Sequence, residues 1–215
     1  MTKERKQPAK AFKEKDRPAA TPERKLGNRE AFFHLVHQEL FGGPAVLCVS
    51  MRIAGPLDIQ LVKHACRHLW ERHPPLKARI AARDGTLSFV FDVPFRDIPV
   101  HSFFELGKTD VHTIVEREAD TLFDASKYLW RVFLITDKTN FERHYLLLSL
   151  HHSIGDGACA VHLAGEMVLY CARILMGEVL HVDLLPVRPS LEELAAPARL
   201  IADMAPAVTN TLSGD

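Results

Sequence analysis

The stretch from Arg143 to Gly177 constrains the fold most. Arg143 to Leu150 (Arg-His-Tyr-Leu-Leu-Leu-Ser-Leu) has the aromatic and aliphatic content of a buried strand, and Ala158 to Met176 is apolar nearly all round, as a buried helix is. Between them stands His151-His152-Ser153-Ile154-Gly155-Asp156-Gly157. The chain must pass from a strand to a core helix through a tight turn, and glycine tolerates conformations and close approaches that a Cβ forbids. Gly177 supplies the stop for that helix. Two imidazoles are thus delivered to the end of a strand, where one of them can be presented as a general base.

The rest of the chain supplies the layers such a strand and helix need. Phe32, Leu35, Val36 and Leu40 repeat at helical spacing behind Asn28 as a cap, and Gly42-Gly43 ends the pattern. Ala45 to Ile53 reads as a strand, Gly55-Pro56-Leu57-Asp58 as a turn with Asp58 as cap, and Ile59, Val62, Cys66 and Leu69 as one face of a helix stopped by Pro74-Pro75. Leu76 to Ala82 and Thr86 to Asp92 form a hairpin about Arg83-Asp84-Gly85. A loop rich in Pro and Phe follows. Val111, Ile114, Val115 and Leu122 mark a helix capped by Asp110, then a strand from Tyr128 to Thr136 and a polar loop at Asp137 to Glu142. Ser190 and Glu193 form a capping box for a last helix, Leu191 to about Met204. The order α-β-α-β-β-α-β-β-α predicts an α/β fold, helices covering a mixed sheet.

With 215 residues, 47% of them hydrophobic, the chain has ample material for a sizeable core. Its formal net charge of zero hides an asymmetry: residues 1–25 hold nine Lys/Arg against four acids, a net +5 that leaves −5 for the remainder. With Pro8, Pro18 and Pro22 and few large apolar residues, residues 1–26 are expected to be a disordered basic tail. A solvated leader is favoured over an arm for an acidic partner, and without aromatic interleaving no nucleic-acid role is expected. His162, Glu166 and Arg173 interrupt the longest apolar stretch, so no transmembrane segment is expected, and with no signal-peptide core a cytoplasmic protein is. Cys48, Cys66, Cys159 and Cys171 stand singly, as buried free thiols do.

The histidine turn carries the chemical suggestion. A neutral imidazole takes a proton from an alcohol or amine near pH 7, since its unperturbed pKa is about 6.5. Asp156 can accept a hydrogen bond from an imidazole or pair with an arginine. On spacing alone a structural pair is as good a reading as a catalytic one, and no metal site is expected, because no third strong ligand stands near.

His151 to Gly157 match the HHxxxDG pattern of the acyltransferase superfamily that includes peptide-synthetase condensation domains, alcohol O-acetyltransferases and chloramphenicol acetyltransferase. Glu71-Arg72-His73-Pro74-Pro75-Leu76-Lys77-Ala78-Arg79-Ile80, after Gly55-Pro56-Leu57-Asp58, resembles the "GPLD … RHExLRTxF" region of condensation domains, with departures at Pro74, Lys77, Ala78 and Ile80. Phe123-Asp124 with Leu129-Trp130-Arg131-Val132 resembles the "FD … PLWRV" strand of the same family. Three segments in the right order cover roughly residues 27 to 195.

The resemblance implies a chloramphenicol-acetyltransferase-like two-layer sandwich, one lobe of a normally two-lobed enzyme: residues 27–186 as the N-terminal lobe and 187–215 as a crossover with a short helix and a loose end. It implies acyl transfer from a thioester on coenzyme A or a carrier protein's phosphopantetheine arm to a hydroxyl or amine, with no permanently bound cofactor. His152 is then the general base, His151 a supporting residue, Asp156 structural through an arginine, and Gly157 room for substrate. Arg131 and Arg79 are the candidate partners of Asp156. His73 and Trp130 are expected to pack, and Cys159 is not expected to be a nucleophile. Because a lone lobe holds only half of a tunnel, activity is expected to need copies of itself or a separate second-lobe chain. The alternatives are a catalytically silent module that binds a carrier protein or acyl chain, and a truncated remnant.

Overall fold

The computed structural model describes residues 22–39, 45–105, 111–137 and 140–195. The elements in order are β1 (Glu23–Lys25), α1 (Asn28–Glu39), β2 (Val46–Ala54), α2 (Ile59–Arg72), β3 (Arg79–Arg83), β4 (Thr86–Val90), β5 (Val100–Glu105), α3 (Val111–Ala119), β6 (Trp130–Asp137), β7 (Asn140–His151), α4 (Gly157–Leu175) and α5 (Leu191–Ala195). Short 3-10 turns stand at Pro74–Lys77, Phe95–Asp97 and His152–Ile154.

A four-stranded mixed sheet runs in the order β2-β7-β6-β5, antiparallel except for the parallel pair β5 and β6. The alternation of β7 divides the core. Leu146, Leu148 and Leu150 face the buried stripe of α2 (Val62, Ala65, Cys66, Leu69) and the inner face of α4 (Ala160, Leu163, Ala164, Met167), while Leu147 meets Ile135 and Ile114 of α3 on the other side. Each fully buried leucine of β7 contributes about 1.5–3 kcal/mol of burial free energy. By length and composition α4 could cross a membrane, but its buried face packs on α2 and the sheet.

A smaller antiparallel sheet, β1-β4-β3, stands beside the first. Its hairpin closes through Asp84 and Gly85, with φ of 49° and 74°, the left-handed pair that a two-residue turn between twisted strands requires. Asp58 caps α2 by accepting from the N–H groups of Gln60 (2.7 Å) and Leu61 (2.9 Å), and Ser190 and Glu193 bond reciprocally ahead of α5.

Several expectations are corrected. Residues 1–21 lie outside the described residues, but the end of the expected basic tail is ordered: β1 pairs with β4, Arg24 opposite Phe89, and the Arg24 guanidinium grips Glu30 at 2.6 and 2.9 Å. The free edge of β4 supplies hydrogen bonds that composition does not reveal. The Pro- and Phe-rich loop contains β5, whose ladder with β6 comes from a strand some thirty residues away. Leu76 and Lys77, expected to open a strand, belong to the 3-10 turn Pro74–Lys77, so that strand starts only at Arg79, and Leu122 lies beyond the end of α3. Asn28 does not cap α1 but stands in it, and the Arg29 N–H is taken instead by Glu192 of α5 (3.0 Å). The expected cap Asp110, the stop Gly42-Gly43 and the last helix beyond residue 195 lie outside the described residues.

Candidate active site

β7 places the histidines because it lies between two strands that hold its end on both sides. The His151 N–H donates to the Leu129 carbonyl (2.8 Å) and the His152 N–H to the Ala45 carbonyl (2.7 Å). The backbone then turns through His152–Ile154, and Asp156 starts α4 by accepting from the Cys159 N–H at 2.9 Å. A Cβ on Gly155 would stand 2.9 Å from Cys159 Sγ, so glycine lets the turn lie against the first turn of the helix. A Cβ on Gly157 would meet nothing within 4 Å.

The two histidines have different surroundings. His151 is fully buried, with its ring 4.4 Å from that of His37, 5.9 Å from His34 and 6.1 Å from Phe123. Its Nδ1 accepts from the Ser153 N–H (3.1 Å), which puts the proton of the neutral ring on Nε2. Burial, reinforced by the neighbouring His37, His34 and His152, pushes its pKa down to about 2. His37 Nε2 lies 2.8 Å from the Phe123 N–H and 3.3 Å from its carbonyl oxygen; as the closer acceptor contact it is unprotonated. Burial also lowers the pKa of His34 and of His37. His151 therefore belongs to a neutral, packed cluster that supports the turn.

His152 is half-buried and lines an open groove of about 300 Å³ with Arg29, Phe33, Gly155, Asp156 and Arg188. The Phe33 ring lies face to face with it, centroids 3.7 Å apart and planes 6° from parallel. Its Nδ1 is buried without a hydrogen-bond partner among the described residues. Through Glu30, Ser153, Ile154, Cys159 and Arg188 the groove shares walls with a largely apolar chamber of about 380 Å³ that residues 185–189 help to line. Of the two imidazoles, His152 is the one available to a reactant.

The arginines assigned to Asp156 are elsewhere. Arg131 is buried and bonds Glu118 through Nε and the carbonyls of Thr121 (2.7 Å) and Leu122 (3.2 Å), with its guanidinium 4.3 Å from the centre of the Phe123 ring. It faces the helix α3 side because Arg131 pairs with Ser149 in the sheet, two residues short of His151. Arg79 forms a two-pronged pair with Asp92 at 2.7 and 2.8 Å. Asp156 is exposed, and the Cys159 N–H holds its carboxyl below the usual range, with the charge of Arg29 adding to this. Arg29, not Arg131 or Arg79, is its cationic neighbour.

Trp130 is fully buried and donates from Nε1 to the Leu76 carbonyl (2.8 Å); His73 meets Glu166 at 2.7 Å on the chamber wall. Burial and Asp156 raise the Cys159 thiol pKa, which keeps it protonated and suits no nucleophile. Sequence reasoning missed Arg29, Phe33, His34, His37 and Glu192. The apolar stripe of α1 pointed the wrong way: Phe32 and Leu35 are 59% and 51% exposed, while His34 and His37 are buried. The spacing of His34 and His37 was a usable signal, since residues three apart share a helix face.

The family model for the condensation domain matches residues 35–186. The chain belongs to the condensation-domain family. Among curated relatives, this condensation domain is 30% identical over 144 residues to cyclosporin synthetase of Tolypocladium inflatum, covering 65% of this chain and 1% of that protein. It is 27% identical over 144 residues to surfactin synthase subunit 1 of Bacillus subtilis, covering 66% of this chain and 4% of that one. The chain thus spans a small fraction of the length of the relatives it matches. Among solved structures, the first condensation domain of the calcium-dependent antibiotic synthetase superposes with a TM-score of 0.69 at 17% identity, covering 86% of this chain and 47% of that one. Polyketide synthase associated protein 5 from Mycobacterium tuberculosis gives 0.58 at 24% identity, covering 80% and 39%. Coverage below half of each solved chain fits the condensation domain described here as a single lobe.

Proposed function

We propose that this lobe transfers an acyl group from a thioester to an amine or hydroxyl, with His152 as general base. The observation that carries the reading is the contrast between two adjacent imidazoles: His151 is sealed in a neutral cluster, whereas His152 borders an open groove beside the start of α4. The neutral His152 ring takes the proton of the acceptor as its nitrogen or oxygen attacks the thioester carbonyl. The tetrahedral intermediate then collapses, the C–S bond breaks, and the proton passes to the departing thiolate. The products are an amide or ester and a free thiol. Such a base typically contributes about 10²- to 10⁴-fold.

The donor is a thioester of coenzyme A or of a carrier protein's phosphopantetheine arm, and the lobe acts in the cytoplasm. Gly157, at the start of α4, leaves room for substrate, since a Cβ there meets nothing within 4 Å. The open groove calls for a second lobe, supplied by another chain or another copy, to exclude water and to stabilise the oxyanion; losing one oxyanion donor costs about 10²- to 10³-fold. Phe32 and Leu35 of α1 and Leu191 and Leu194 of α5, all exposed, are the apolar residues on these helices that such a lobe would cover.

The openness of the groove favours one second reading, a catalytically silent module that holds a carrier protein or acyl chain. Oligomeric mass and acyl transfer from coenzyme A and phosphopantetheine thioesters to a panel of amines and alcohols, wild type against His152→Ala, separate the two. Loss of transfer in His152→Ala supports the base; a monomer with turnover unchanged by that substitution sinks it.

A further inference from the structure

We infer that Phe33 is the positioning residue of His152 and stabilises the charged ring that forms when the base accepts a proton, a step that rests on the reading of His152 as base. A catalytic histidine is ordinarily oriented by a hydrogen bond to its second nitrogen. Here Nδ1 of His152 is buried and has no such partner among the described residues. What touches the ring instead is the face of Phe33, at 3.7 Å and 6° from parallel.

That geometry favours one charge state. Two neutral aromatic rings prefer offset or edge-on contact, because their negative faces repel when superposed. A cation over the same face is attracted by it. The nearly superposed rings of Phe33 and His152 therefore gain most when His152 is an imidazolium, which exists only after the acceptor has been deprotonated. An interaction stronger in the transition state than in the ground state accelerates the chemical step.

The helix that carries Phe33 is fixed on both sides of it. Glu192 of α5 accepts from the Arg29 N–H at 3.0 Å, and His34 and His37 pack against His151 at the end of β7. The Arg29 guanidinium stands 5.7 Å from the centre of the Phe33 ring, where its charge also acts on Asp156. Phe33 therefore links the helix–turn packing to the ring that reacts.

The test uses the full chain and 4-nitrophenyl acetate, a small activated ester that needs no second lobe, with Phe33→Leu, Phe33→Tyr and His152→Ala. The His152-dependent part of kcat should fall about 2- to 30-fold in Phe33→Leu, the span of a cation–π contact, with KM unchanged and with Phe33→Tyr restoring it. In carbon-resolved NMR spectra the His152 ring protons should be shifted upfield by the Phe33 ring in wild type and Phe33→Tyr, and not in Phe33→Leu. Equal kcat in wild type and Phe33→Leu, or Phe33→Tyr as defective as Phe33→Leu, overturns the proposal. A rate independent of His152 overturns the base reading and the catalytic role of Phe33 with it, while the NMR spectra still report whether the rings stack. If Phe33→Leu does not fold, wild-type His152 ring protons at ordinary frequencies with no contact to Phe33 overturn the proposal on their own.

Discussion

The backbone N–H of Ser153 donates to Nδ1 of His151 at 3.1 Å, so one histidine of the pair folds the turn that presents the other. Protonating His151 would destroy that acceptor. The same holds for His37, whose Nε2 accepts from the Phe123 N–H.

Acid should therefore unfold this chain from a mild pH. The folded pKa values of His151, His37 and His34 all lie below the ordinary value near 6.5, so the unfolded chain binds more protons as pH falls through that value. The stabilising contribution of the neutral rings is full above about pH 6.5 and is lost as pH falls toward the folded values, at up to about 1.4 kcal/mol per pH unit for His151 alone. Urea unfolding midpoints between pH 7.5 and 5 measure this; a midpoint that does not drop would contradict the neutral cluster.

Arg131 and Glu118 form a buried pair, with side chains 7% and 10% exposed. Removing one partner leaves the other charge uncompensated, and Arg131→Met should cost about 3–5 kcal/mol by denaturant unfolding. The double change Arg131→Met with Glu118→Leu should recover part of that loss. If Arg131 acted mainly on Asp156, the second substitution would recover nothing.

Asp156→Ala should destabilise the chain by about 0.5–2 kcal/mol through loss of the α4 cap, while Asp156→Asn, which keeps an accepting oxygen, should be close to wild type. Thermal melts of the two variants distinguish a cap from an ion pair, since an essential arginine contact would make Asp156→Asn as damaging as Asp156→Ala.

Glu192→Ala removes the acceptor for the Arg29 N–H and should raise amide exchange in the first turn of α1 with little change in the sheet. Hydrogen exchange read by mass spectrometry over residues 24–33 reports it. Uniform exchange across the chain would instead mean that the crossover helix is not fastened there.

The strand–turn–helix about His151 to Gly157 was legible because every cue agreed. The apolar run of β7, the two glycines and the apolar α4 all appear in sequence, as do the caps at Asp58 and Ser190 and the Asp84-Gly85 turn. β1 and β5 were not legible, since a short strand with weak alternation is decided by the free edge it joins, and β4 and β6 lie far along the chain. α1 misled for a related reason. Its Phe32 and Leu35 suggested an inward stripe, but the groove end of β7 offers buried histidines their packing partners and leaves those apolar side chains outside.

The sequence by itself determined which elements form around the histidine turn and the residue types that meet there, because local periodicity, glycine and capping residues act over a few positions. Only the tertiary structure decided that His151 is sealed while His152 faces the groove, that Arg131 serves Glu118 and Arg79 serves Asp92, and that Phe33 and Arg29 of α1 complete the site. Those choices depend on burial and on which distant charges and rings come within a few ångströms, and spacing along the chain does not encode them.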